Sequence, residues 1–394
     1  MHLSRPARLV VAVALVALAY RFTLATGQLR PLVYRIDLEV YRLGAGVWRA
    51  GGDLYGRLPA TSLPFTYPPI AAVLLVPLTW VPLWLATLLA TVGSVAALAV
   101  TVRLVVRSLG WRPWRSELAL LVAFAVLLEP VRATLQFGQV NLVLLALVVA
   151  DCLVDRPWWP RGALVGLAAA FKLTPIVFVA YLAASPGRRS ARTALVTAAA
   201  ATAAGALLAP ADSWRYWTGV VFDARRIGSP WYAGNQSLRA VVARAGLTGT
   251  AGTALWLLAC AVVGAVAVVA VRAALRTGRP ALGMALTGVA GLLVSPISWT
   301  HHWVWVVPLA LALWSVGTRS ARALAAATVA LSLAAPQWWL PHGSNREFAW
   351  TPVQQVVGSS YVVLGLTVLA WAALTLPSAR DRDADRLARS PTAP

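Results

Sequence analysis

Apolar positions in this chain come in long runs rather than in alternation. Segments at about 9–26, 69–83, 84–106, 117–134, 140–155, 161–184, 193–209, 252–272, 281–299, 303–316, 322–340 and 354–376 are dominated by Ala, Leu and Val. Runs of this length suit helices crossing a hydrocarbon layer roughly 30 Å thick. The fold class expected is all-α, a polytopic integral membrane protein. Two runs carry breaks. Segment 69–83 opens on Tyr67-Pro68-Pro69 and holds Pro77 and Pro82, which predicts a short or re-entrant helix. Segment 161–184 is interrupted at Lys172-Leu173-Thr174-Pro175, which predicts two half-helices. The expected number of crossings is therefore 10 to 12. One stretch has a different rhythm. Leu38, Val40, Tyr41, Leu43, Val47 and Trp48 follow helical spacing, the pattern of an amphipathic helix lying on a membrane surface.

Composition agrees with this picture. Of 394 residues, 59% are hydrophobic and only 12% charged, and mean hydropathy is +0.72. A soluble enzyme, a disordered chain and a disulfide scaffold are excluded. The net charge of +21 is carried almost wholly by arginine, since Lys172 is the only lysine. The arginines punctuate the ends of apolar runs and form no single stripe, so they set topology and meet anionic lipid rather than nucleic acid. Arg188, Arg189 and Arg192, then Arg272, Arg276 and Arg279, then Arg319 and Arg322 mark cytoplasmic loops. The intervening loops at 210–250, 298–303 and 341–353 are then external, and both termini are cytoplasmic. Residues 1–376 read as one membrane domain and 377–394 as a charged, disordered tail with Asp381, Asp383 and Asp385. The two long external loops are about 27–66 and 210–250, and Trp214, Tyr216, Trp217, Trp231 and Tyr232 form an interfacial aromatic belt in the second. Cys152 and Cys260 lie in apolar runs and read as packing residues.

Acidic residues are few, so each can be weighed. Asp37 opens the amphipathic stretch, where it serves either as a helix N-cap or as a proton acceptor at the membrane surface. Glu39, two residues on, faces away from it on a helix, which disfavours a paired metal site. Asp53 in Gly51-Gly52-Asp53-Leu54-Tyr55-Gly56 reads as a turn, and Glu129 as an ion-pair partner of Arg132. Gln136-Phe137-Gly138-Gln139-Val140-Asn141 is a polar cluster opening an apolar helix, fit to cap it or to bind sugar hydroxyls. Lys172, inside an apolar segment, needs a carboxylate, carbonyl or phosphate partner. Adjacent His301 and His302 point in different directions and make a poor metal pair, whereas one of them suits a phosphate or hydroxyl contact. No Walker A, HExxH, GxGxxG or CxxC occurs, so nucleotide-driven and zinc chemistry lack support.

Taken in order, these pieces resemble glycosyltransferase family 87. The resemblance rests on Asp37-Leu38-Glu39-Val40-Tyr41, Gly52-Asp53-Leu54-Tyr55, Phe65-Thr66-Tyr67-Pro68-Pro69, Gly138-Gln139-Val140-Asn141, Lys172-Leu173-Thr174-Pro175, Asn235-Gln236-Ser237 and Ser295-Pro296-Ile297-Ser298-Trp299-Thr300-His301-His302. It spans roughly residues 30–310. It implies a GT-C fold, a polyprenyl-phosphate sugar donor, a glycolipid acceptor and a site at the outer face of a bacterial plasma membrane. It also implies an inverting transfer with Asp37 as general base, most often of mannose in an α-1,2 linkage. The residues expected to hold the donor's phosphate and sugar are Lys172, His301, His302, Gln139, Asn141, Tyr67, Asn235 and Gln236, with an arginine of the 210–250 loop as a further cation. No cofactor and no metal are expected. Arabinofuranose transfer is the alternative within the family. A secondary transporter or lipid flippase is the alternative outside it, and neither would need Asp37.

Overall fold

In the computed structural model the described residues are 5–25, 35–187 and 189–377. The charged tail with Asp381, Asp383 and Asp385, and Arg188, lie outside them. Within them the chain is helical, and the sole β contact is an isolated bridge between Asn235 and Trp299.

The predicted apolar runs reappear as helices with sharper ends. They begin with α1 (Arg5–Ala25). An amphipathic helix α2 (Ile36–Arg49) follows, then the short α3 (Pro69–Leu75) and the long α4 (Leu83–Ser108). Pro77 and Pro82 confine α3 as expected, because a proline ring cannot continue a helix through its interior. Run 117–134 is a correction to the sequence reading. It is two helices, α5 (Arg115–Leu127) and α6 (Glu129–Phe137), bent by 78°. Leu128 is extended at the bend, and Pro130 at the second position of α6 has no N–H to offer the preceding turn. Helix α7 (Asn141–Leu153) follows. Run 161–184 breaks where expected, into α8 (Ala163–Phe171) and α9 (Phe178–Ala184), with Lys172 extended between them.

Next come α10 (Arg189–Leu208) and the loop helices α11 (Pro210–Thr218) and α12 (Leu238–Arg244). The second half holds α13 (Gly249–Arg276), α14 (Pro280–Val294), α15 (Val306–Val316), α16 (Arg319–Ala334) and the pair α17 (Pro352–Gly358) and α18 (Ser360–Thr375), bent by 74°. By length and composition, three described helices can cross a membrane (α4, α10 and α13), or five if each bent pair is one span. Most of the other apolar helices have 9 to 16 residues. At about 1.5 Å per residue they fall short of a ~30 Å core unless broken partners are joined.

Burial divides into two clusters. The larger is built from α4, α7, α14, α15 and α18, with Leu98, Val148, Leu286, Trp303 and Val368 among its buried residues. The smaller surrounds α2 and α3, with Tyr41, Tyr55, Phe65, Tyr67 and Tyr216. Val140 and Phe171 pack against both clusters, which places the polar residues beside them at the seam.

Candidate active site

Helix α2 buries Leu38, Tyr41 and Ala45 and exposes Glu39. Asp37 lies in its first turn rather than at the cap, which falls on Arg35, so the capping role is not the one it plays. Asp37 and Tyr41, four residues apart, share one face. That face meets the end of α6. Gly138 closes α6 in the left-handed conformation at φ +69°, and a Cβ there would stand 2.7 Å from Leu38 Cβ. Only glycine allows both the turn and the approach. The result puts Gln139 beside Asp37. Gln139 favours the ionised form of the Asp37 carboxyl, and its Oε1 accepts from Tyr41 Oη at 2.6 Å. Tyr41 and Tyr67 hydroxyls are 2.9 Å apart, and Tyr67 also lies 3.2 Å from Gln139 Nε2.

The break after α8 delivers the cation. Lys172 Nζ donates to Asn141 Oδ1 at 2.9 Å, lies 3.4 Å from His302 Nε2, and sits 5.5 Å from the centre of the Tyr67 ring. Asn141 in turn donates from Nδ2 to the His301 carbonyl at 2.9 Å, and Thr134 Oγ1 donates to the same oxygen at 2.8 Å. The structure therefore brings together Asp37, Tyr67, Gln139, Asn141, Lys172, His301 and His302. It also separates the two histidines. His302 faces the lysine, whereas His301 packs edge-on to Phe137 at 5.1 Å and its Nε2 meets no partner.

Burial is the largest influence on the Asp37 carboxyl. It lifts the pKa from 3.8 to about 6, against the opposing pull of the Gln139 hydrogen bond and the Lys172 charge. A half-buried carboxylate poised there ionises at neutral pH and is still basic enough to take a proton. His302, in the loop ahead of α15, is held well below the ordinary histidine range by burial and then by Lys172, so it stands neutral beside the cation.

Asn235 and Gln236 are not brought to this cluster. Both are fully buried. Asn235 Nδ2 donates to the Pro230 and Pro296 carbonyls, and its Oδ1 accepts from Ser298 N at 2.9 Å. Gln236 Nε2 donates to the Ala233 and Gly358 carbonyls, and its Oε1 accepts from Tyr361 N. These amides are spent on backbone, where they clasp the 229–237 loop to the strand-like stretch before Thr300. The arginines of the 210–250 loop are engaged as well. Arg215 pairs with Asp53 and Arg225 with Asp223, Arg226 donates to the Tyr55 carbonyl, Arg239 donates to Thr253, and Arg244 is buried against carbonyls and Ser359. Tyr41 is the site residue that the sequence reading assigned no role. Its spacing from Asp37 was the available signal. Among the described residues, no three His, Cys, Asp or Glu side chains are grouped as a metal site requires.

A half-buried carboxylate, a lysine and a neutral imidazole at one seam suit removal of a hydroxyl proton on one side and support of a departing anion on the other. Sequence comparison gives this arrangement its context. The family model described as glycosyltransferase family 87 matches residues 65–296. The chain belongs to glycosyltransferase family 87. It is accordingly a glycosyltransferase. It is 40% identical over 371 residues to a polyprenol-phosphate-mannose-dependent alpha-(1-2)-phosphatidylinositol mannoside mannosyltransferase of Mycolicibacterium smegmatis, covering 85% of this chain and 83% of that protein. The like-named protein of Mycobacterium tuberculosis is 37% identical, over 87% of this chain and 85% of its own length. A polyprenol-phosphate-mannose-dependent alpha-(1-2)-phosphatidylinositol pentamannoside mannosyltransferase of Mycobacterium tuberculosis is 36% identical over 86% and 81%. No solved structure gives a significant match. The family match begins at Phe65, so Asp37 precedes it, while Tyr67, Gln139, Asn141 and Lys172 fall inside it.

Proposed function

We propose that this family 87 member is a membrane-embedded, inverting mannosyltransferase of GT-C architecture with 10 to 12 crossings. It moves mannose from a polyprenyl-phosphate donor to a phosphatidylinositol mannoside, in an α-1,2 linkage, at the outer face of a bacterial plasma membrane. The observation that carries this reading is the 35–40% identity, over 85–87% of the chain, to relatives bearing that activity in their names. The outer face holds no sugar nucleotides, which favours a lipid-linked donor there.

Asp37 takes the proton of the acceptor hydroxyl as its oxygen attacks the anomeric carbon. The bond from that carbon to the donor phosphate breaks, and polyprenyl phosphate leaves with the electron pair. Lys172 and His302 meet the charge that grows on the phosphate. Gln139 and Tyr41 orient the base, and Asn141 orients the lysine. A base so placed contributes roughly 10²–10⁴-fold.

The test is transfer by purified protein in lipid, offered polyprenyl-phosphate mannose and polyprenyl-phosphate arabinose separately, with phosphatidylinositol mannoside acceptors. Mannose transfer that Asp37→Asn abolishes is expected. Transfer from the arabinose donor alone would replace the sugar, and no transfer from either by folded protein would remove the reading.

A further inference from the structure

His302 meets Lys172 through one ring nitrogen, and that contact selects which nitrogen carries the proton. Lys172 Nζ lies 3.4 Å from His302 Nε2 and donates to Asn141 Oδ1 at 2.9 Å. An ammonium has three N–H donors and no acceptor. It faces Nε2 favourably only when that atom offers a lone pair, and the proton of the neutral imidazole then sits on Nδ1.

The network behind Lys172 runs in the same direction. The His301 carbonyl can only accept. Thr134 Oγ1 donates to it at 2.8 Å, and Asn141 Nδ2 donates to it at 2.9 Å. With Nδ2 committed there, the Asn141 amide turns Oδ1 toward Lys172. Thr134 and Asn141 are both buried, so water does not compete for these bonds. The imidazole is held in place as well. His302 N donates to the Trp299 carbonyl at 2.8 Å, and the His301 ring packs edge-on against the His302 ring with centres 4.7 Å apart.

One nitrogen is left over. Among the described residues no group bonds to His302 Nδ1, and the residue is half-buried rather than sealed. His302, Lys172 and Asn141 line one cavity, together with Thr174 and Trp305. A fixed donor at the wall of a cavity, beside a lysine, suits an anionic oxygen.

We propose that His302 works as a neutral imidazole whose Nδ1–H donates a hydrogen bond to a phosphoryl oxygen of the lipid-phosphate donor. Lys172 supplies the charge, and His302 transfers no proton to the departing phosphate. The identity of the phosphate rests on the mannosyltransferase reading, whereas the tautomer does not.

Nitrogen-15 NMR of the full-length protein in lipid at neutral pH, with labelled histidine, reads the tautomer without any activity. The chain has four histidines, and the His302→Asn spectrum identifies the His302 signals. A protonated Nδ1 and a bare Nε2 are expected. A protonated Nε2, in a neutral ring or an imidazolium, overturns the proposal. Lys172→Met removes the ammonium that selects the form, so the Nε2–H tautomer should appear, and an unchanged tautomer would overturn the part given to Lys172. Polyprenyl phosphate added to wild type should shift the His302 Nδ1 signal and leave His342 in place. Absence of that shift overturns the contact with phosphate.

Kinetics supplies the second arm. An asparagine amide nitrogen stands near the place of Nδ1, and a glutamine amide nitrogen near that of Nε2. His302→Ala should lower kcat by about 10²-fold, the effect of removing one preorganised donor. His302→Asn should lose less than about tenfold, and His302→Gln should fall as far as alanine. Equal losses in the two amides, or a more active His302→Gln, overturn the assignment to Nδ1. If wild type transfers no mannose while its Nδ1 signal still responds to polyprenyl phosphate, the transfer reading fails and the hydrogen bond stands.

Discussion

Two polar knots interrupt the apolar chain, and they are built to opposite ends. At Asn235 and Gln236 nearly every polar atom is matched by backbone within the fold, and both residues are sealed from solvent. At Asp37, Gln139, Tyr67 and Lys172 the partners are other side chains, the carboxylate is half-buried, and the lysine's charge acts on it. The first knot has no capacity left for a ligand. The second holds charges, hydroxyls and an imidazole bonded chiefly to one another, side chains that can exchange those partners for a ligand. A closed knot stabilises, and an open one is kept for chemistry.

The sharpest way to break this contrast is Asp37→Asn. The amide keeps the size and some hydrogen bonding, but cannot accept a proton. Transfer should fall by about 10²–10⁴-fold with the unfolding temperature little changed. Unimpaired transfer would remove Asp37 as base. Lys172→Met comes next, with an expected loss of about 10²-fold in kcat, because the methionine keeps the stem and loses the charge that meets the leaving phosphate. A loss confined to donor KM would instead make Lys172 a binding group.

The closed knot should respond in the other currency. Asn235→Ala leaves Ser298 N and two carbonyls without partners, at about 1–3 kcal/mol of stability. The unfolding temperature should drop while kcat of the folded fraction stays near wild type. A large kcat loss at unchanged stability would return Asn235 to the site.

The pH dependence sharpens the open knot further. With Asp37 near 6, rate should rise with pH through that value and level off above it, since the base works ionised. The Gln139 hydrogen bond lowers that pKa, so Gln139→Leu should move the acid limb to higher pH, with a plateau reduced only a few-fold. An unmoved limb would mean that another group controls it.

How much of this was legible in the sequence follows from the range of each interaction. Apolar runs and prolines are local signals, so the helical class, the short α3 and the break at Lys172 could all be read from composition and order. The 78° bend at Leu128 could not be placed, because Pro130 at a second helical position is equally at home in an unbroken start. Asp37, the Gln139-Val140-Asn141 stretch, Lys172 and His302 lie far apart along the chain. Their assembly depends on packing between α2, α6 and α7, and only the order of motifs hinted at it. Asn235 and Gln236 belong to an equally good motif. What separates them from the site is the set of backbone carbonyls around them, which no spacing reveals.

Asp53 provides the smallest expected effect and a strict trial of that lesson. It stands in Gly52-Asp53-Leu54-Tyr55, a motif as specific as the one carrying Asp37. Its surroundings are different. It pairs with Arg215 with both side chains about half exposed, and it accepts from Tyr55 N at 3.1 Å within its turn. Arg215 holds its carboxyl below the ordinary range, the reverse of the burial that lifts Asp37. An exposed pair of this kind contributes about 0–1 kcal/mol. Asp53→Asn should therefore shift stability by less than about 1 kcal/mol and leave kcat within about twofold. If it abolished transfer instead, burial and hydrogen-bond partners would have failed to tell a turn carboxylate from a catalytic one, and the contrast between open and closed knots would lose its force at Asp37 too.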